Sequence, residues 1–209
     1  MDRFGDHALV CACKGSRTVR HNAVRNVVHE EALAAGIAAQ KEKAGLLPSR
    51  PEEDGTQGGQ GARRPADVWI PHEASPRGEA WNFACTSGMR TDRLIRVDCD
   101  PATIFGEYEH FKKSYKNTEK ECQDAGLTFR PLVIEAHGGG WSSEFGKVVG
   151  RIATLKAAIT GEEAGHVALR IAQRISCTLQ RETARAVLAR TQVVGNFQTP
   201  DAWADLQWR

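Results

Sequence analysis

Asp67 stands inside the β-prone run PADVWIP (65–71). A carboxylate there must face water, find a partner or bind a cation, because burying it alone is expensive. Two readings follow: an exposed strand residue, or a metal-binding carboxylate at a strand end, as in Mg2+-dependent phosphodiester chemistry. Basic residues offer a second chemistry. Arg170, Arg174, Arg181 and Arg185 fall within about 60° of one another at roughly 100° per residue, beside an apolar face of Ile171, Ile175 and Leu179. Such a row is either a solvated face or a phosphate-contacting one. Lys14, Arg17, Arg20 and Arg25 surround His21 in the same way. His21 and Asn22 either bind nucleic acid or open a helix by capping it. HGGGW (137–141) has no Gly-Lys-Ser/Thr or Gly-x-Ser-x-Gly companion, so it reads as a tight turn after a buried strand. The six cysteines are irregularly spaced, which predicts reduced thiols in an intracellular protein. Cys85 and Cys177, among apolar neighbours, read as core thiols.

The elements that must position these residues follow from periodicity. The apolar spacing of Val24, Val27, Val28, Leu33 and Ile37 predicts a helix over about 20–42, ended by Gly45. Residues 48–64, dense in Pro, Gly and charge, read as a solvated loop or a mobile hairpin tip and not as a domain boundary. PADVWIP and AWNFACTS (80–87), separated by a Pro/Gly turn, predict a hairpin, and LIRV (94–97) a further short strand. Residues 102–125 read as one helix with Ile104, Phe105, Tyr108, Phe111 and Tyr115 on one side, stopped by Gly126. A buried strand at Leu132–Ala136 follows, then helices over about 143–160, capped by Ser142 or Ser143, and about 162–191. His110 and His166 read as surface residues. The order predicts an α/β (α+β) fold, a small mixed sheet flanked by helices.

Composition excludes several classes. The 209 residues are 41% hydrophobic and 26% charged, with net charge +2, a pI near 8.2 and a mean hydropathy of -0.44. This is neither collagen, coiled coil nor wholesale disorder. No apolar run approaches the ~18–20 residues of a membrane span. MDRFGDHALVCACKG lacks the order of a signal peptide. The mildly basic balance permits a nucleic-acid partner.

Taken in order, RHNAVRNVV (20–28), RRPADVWIP (63–71), AWNFACTSG (80–88), FKKSYKN (111–117) and FRPLVIEAHGG (129–139) resemble the C-terminal restriction-like endonuclease region of non-LTR retrotransposon polyproteins. The resemblance spans roughly residues 3–190 and implies a PD-(D/E)xK-type fold. It implies Asp67 as the first catalytic aspartate, Asn82 at the position of the second acid, Lys112 or Lys113 as the family lysine, and Glu135 as a further acid of the set. It also implies Mg2+ (or Mn2+) as the cofactor, DNA or RNA as the partner, no membrane and a nuclear location. Arg17, Arg20, His21, Asn22 and the four arginines of 170–185 would contact nucleic acid. FGDHALVC looks like the end of a zinc knuckle, with His7 and Cys11 as its last two ligands. Cys13 raises the set only to three where zinc takes four, so the resemblance implies a metal-free remnant over 1–19 of an N-terminally truncated chain. The nuclease domain would be 20–191 and a C-terminal tail 192–209.

The amide at Asn82 departs from the family pattern. It brings no charge to a cation, and a loss of this kind costs on the order of 10²–10³ in rate if it resembles loss of an oxyanion donor. The expectation is therefore a DNA-nicking domain of degenerate activity. In the parent element the nick would prime reverse transcription, for which no polymerase motif is present here. The alternatives are a non-catalytic nucleic-acid-binding module and a decayed retrotransposon-derived protein.

Overall fold

The structure, a computed structural model, describes residues 15–48, 65–71, 76–88, 100, 102–138 and 140–191. His7, Cys11, Cys13, most of the knuckle remnant, nearly all of the 48–64 loop, the strand expected at 94–97 and the 192–209 tail lie outside them.

Helix α1 (Ser16–Ala34) buries Val24, Val27, Val28 and Ala32. It stops earlier than the sequence predicts. Gly36 takes φ +75°, and the Gly36 N–H to Leu33 O and Ile37 N–H to Ala32 O bonds, both 3.0 Å, close a Schellman turn there. Ile37 and Ala39 remain buried, but in extended chain. Leu33 is 49% exposed, because nine residues from Val24 carry it about 180° around the helix.

The chain then enters β1 (Gln40–Lys41), β2 (Val68–Ile70) and β3 (Glu79–Thr86). The expected hairpin is present, with Val68 opposite Trp81 and Ile70 opposite Glu79 in antiparallel register. Gly78 closes it at φ +90°, and an added Cβ there would lie 1.9 Å from Ile70 O.

The sequence predicts a single helix over 102–125, and the structure corrects this. Lys116 and Asn117 take left-handed backbone, dividing the segment into α2 (Thr103–Ser114), a 3-10 turn (Tyr115–Asn117) and α3 (Thr118–Asp124). Asn tolerates this conformation better than most residues. Of the predicted apolar stripe only Ile104 is buried. Strand β4 (Thr128–Glu135) lies parallel to β3 along its whole length, which completes a four-stranded mixed sheet in the order β1-β2-β3-β4. Helix α4 (Ser143–Thr160) is capped by Ser142, whose Oγ accepts the Phe145 N–H, and α5 (Ala164–Thr191) follows. No described helix is long and apolar enough to cross a membrane.

The fold is thus mixed α/β with both sheet faces covered. On one face Phe83, Leu132 and Ile134 pack with α1, α4 and α5 through Val28, Phe145, Ile152, Ile175 and Leu179. On the other, Ala80 and Phe129 meet Cys122, Leu127, Leu46 and Leu47. Cys177 is exposed, not a core thiol, whereas Cys122 is fully buried.

One ion cluster is built into this core. Glu79 has no exposed side-chain surface. Its Oε1 accepts from Arg130 and Arg151 at 3.0 Å each, and its Oε2 from Arg151 at 2.9 Å and Trp81 Nε1 at 2.8 Å. Burial alone would push the Glu79 carboxyl up, but the bonds from Arg151, Arg130 and Trp81 hold it below the usual carboxylate range. Its contribution to stability is therefore present above about pH 4.5 and lost as the pH falls through the depressed value. We expect Glu79→Ala to cost about 3–5 kcal/mol, because it strands two half-buried guanidinium groups. Urea denaturation should show a lower midpoint at unchanged slope.

Candidate functional site

A polar cleft opens where the N-terminal turns of α1 meet the sheet and α2. It measures about 340 Å³ and is lined by Arg17, Arg20, His21, Asp67, Asn82 and Lys112, with Thr18, Tyr108 and Cys85 completing its walls. These residues come from segments spread over some ninety positions of sequence, and the sheet gathers them.

Asp67 is held by its backbone and its side chain at once. Its N–H bonds Trp81 O at 2.9 Å and its carbonyl accepts from Glu42. Its Oδ2 accepts the Phe83 N–H at 2.6 Å and faces His21 Nε2 at 3.2 Å. The carboxylate therefore takes a β3 donor just before β2 begins. Asn82 Nδ2 reaches Pro65 O at 3.3 Å. Asn82 Oδ1 is buried and has no hydrogen-bond partner among the described residues.

His21 is oriented from both sides, with Nδ1 at 3.3 Å from Asn22 Oδ1 and Nε2 at the Asp67 carboxylate. Burial pushes its pKa down, but the hydrogen bond and charge of Asp67, with help from Asn22, win and raise it above 6.5. Lys112 shifts the other way. Burial lowers its pKa, Arg17 adds to the lowering, and Asp67 opposes it. Cys85, beside Arg20, is pushed up to about 11, chiefly by burial, so it is a poor nucleophile.

Several sequence-predicted residues stand elsewhere. Lys113 pairs with Glu119 at 3.3 Å and does not line the cleft. Glu135 binds the His137 N–H at 2.6 Å and His137 Nδ1 at 2.8 Å. It lies opposite Thr86, three residues beyond the Phe83–Leu132 pair, or roughly 10 Å along the strand. Asn22 acts on His21 without lining the cleft. The arginine row of α5 is answered by acids: Arg170 by Glu162, Arg174 by Glu30 and Glu31, and Arg181 and Arg185 by Glu182. Helical periodicity places a row on one face but does not show what stands opposite it. Tyr108, from the apolar side expected of this helix, lines the cleft. Its position one turn before Lys112 was the available signal.

Among the described residues that line the cleft Asp67 is the one acid, beside Arg17, Lys112 and a histidine whose pKa is raised. Such a basin attracts anions. Among the described residues no three His, Cys, Asp or Glu side chains cluster as a metal site. A divalent ion would find one carboxylate, already engaged through Oδ2, and one amide oxygen, beside three cationic side chains. That donor set does not fit Mg2+, which is held through carboxylates and substrate phosphates. No protein-family model and no curated protein matches the sequence.

The His21–Asp67 pair makes a direct prediction. Its contribution to stability is complete below about pH 6.5 and is lost as the pH rises through the raised value of His21. An NMR titration of the His21 ring should give a midpoint above 6.5. Asp67→Asn should bring that midpoint down, because the unopposed effect of burial is to lower it.

Proposed function

We propose that this chain is a nucleic-acid-binding domain of the restriction-like endonuclease plan, of retrotransposon descent, whose cleft holds a phosphodiester but cleaves it weakly or not at all. One observation carries the reading. Arg20, His21, Asp67, Asn82 and Lys112, drawn from four of the five stretches of the ordered resemblance, line a single cleft. A mixed four-stranded sheet flanked by helices is the class of fold this reading requires.

The chain's own residues account for binding. Arg17 and Lys112 present positive charge to a backbone phosphate. Asp67 raises the His21 pKa and fixes the ring in place, which favours the imidazolium, and that form adds to the field. Partial burial of Lys112 strengthens its attraction for an anion, since the effective dielectric there is below that of water. The same residues account for weak cleavage. Asn82 supplies an oxygen with no charge where hydrolysis calls for a second carboxylate, and Glu135 is tied to His137 up the strand. Binding, not hydrolysis, is what this set of side chains supports.

The test is a paired assay on the full chain. Binding of a labelled oligonucleotide should fall steeply with salt. Lys112→Ala should weaken it several-fold and reduce the salt slope by about one. Supercoiled plasmid with Mg2+ or Mn2+ should be nicked at or near background. Asn82→Asp should raise nicking measurably, and adding Asp67→Ala should abolish the gain. Salt-independent or absent binding would sink the reading. Robust nicking by the unaltered chain would turn it into that of an active nuclease.

A further inference from the structure

The apolar stripe of α2 leaves the core while still following the cleft. Ile104 is 4% exposed, but Phe111 and Tyr115 are 50% and 53% exposed. The rings form a chain: the Tyr108 and Phe111 centroids are 5.8 Å apart, those of Phe111 and Tyr115 5.5 Å. The chain begins in the cleft, because Tyr108 lines it together with Lys112. It ends under a second cation, with Lys116 Nζ 5.9 Å from the Tyr115 ring centroid.

From this arrangement, and resting on the phosphodiester reading above, we propose that the ligand is single-stranded nucleic acid. A backbone phosphate sits among Arg17, His21 and Lys112, and unpaired bases stack on Phe111 and Tyr115. Two physical arguments select this occupant. Exposed aromatic rings beside a cationic groove are what a single strand uses, since every base has a π-face and stacking tolerates any sequence. The ring spacing also exceeds the ~3.4 Å step between stacked bases in a duplex. Bases seated on successive rings must therefore be parted from one another, which a paired and stacked helix does not allow. The positive basin supplies charge complementarity to the backbone that carries those bases.

The test compares three probes of one length by fluorescence anisotropy on the full chain: a thymidine oligomer, an abasic oligomer and a duplex. The thymidine oligomer should bind roughly tenfold or more tighter than the other two. Phe111→Ala with Tyr115→Ala should reduce it to their level while leaving the salt slope unchanged. Both rings are half-exposed, so the core survives the change, and the abasic probe gives the same contrast with no change to the protein. Lys112→Ala should weaken all three probes. Equal binding of thymidine oligomer and duplex, or aromatic variants without effect, overturns the single-strand inference and leaves the cleft reading standing. Absence of salt-dependent binding to every probe ends both.

Discussion

The cleft depends on one carboxylate that does two jobs. Asp67 Oδ2 takes the Phe83 N–H just before β2 begins, and it holds the His21 ring of α1. The first bond fixes the carboxylate against β3. The second ties the N-terminal half of α1 to the sheet and favours the protonated ring there. Without it, the backbone donor of Phe83 would need another acceptor, and burial would favour neutral histidine. Among the described residues, Arg17 and Lys112 share the cleft with this one acid. The field of the basin is thus set largely by Asp67 and the cations around it.

Elsewhere the molecule neutralises its charges carefully. Glu79 is enclosed by two arginines and a tryptophan, and Glu31, buried on α1, is met by Lys156 from α4 and Arg174 from α5. Glu144 joins Arg130 and Lys147. These pairs tie helices to the sheet and to one another. They also give many of the arginines that look basic in the sequence an acidic partner. Against that background a pocket in which several cations meet one described acid is a local exception. The exposed rings of Phe111 and Tyr115, continuing from Tyr108, are a second.

Legibility in the sequence followed the range of the forces involved. The β2–β3 hairpin, the buried β4 and both C-terminal helices could be read, because alternation, turn residues and the Ser142 cap act within a few positions. The end of α1 could not. Gly36 and Gly45 are equally good stops by composition, and the Schellman bonds that choose Gly36 are visible only in space. The break at Lys116–Asn117 was missed because an apolar stripe ran unbroken through it. For the site, Asp67 stood out as a carboxylate in a β-prone run, and Lys112 was paired with Lys113 as an alternative. Only the fold separates the two lysines, turning one toward Asp67 and the other toward Glu119. The arginine row of α5 is a true periodicity whose glutamate partners, from distant stretches of chain as well as near ones, only the fold reveals.

The central claim is that anions enter through the Asp67 cleft and not at the arginine-rich helix. Amide chemical-shift mapping during titration with a short oligonucleotide tests it most directly. The account predicts that Phe83, whose N–H is bonded to Asp67, and His21 and Lys112 shift together and saturate at one concentration, while residues 170–185 stay still. Shifts concentrated along 170–185, with the Phe83 amide unmoved, would contradict it.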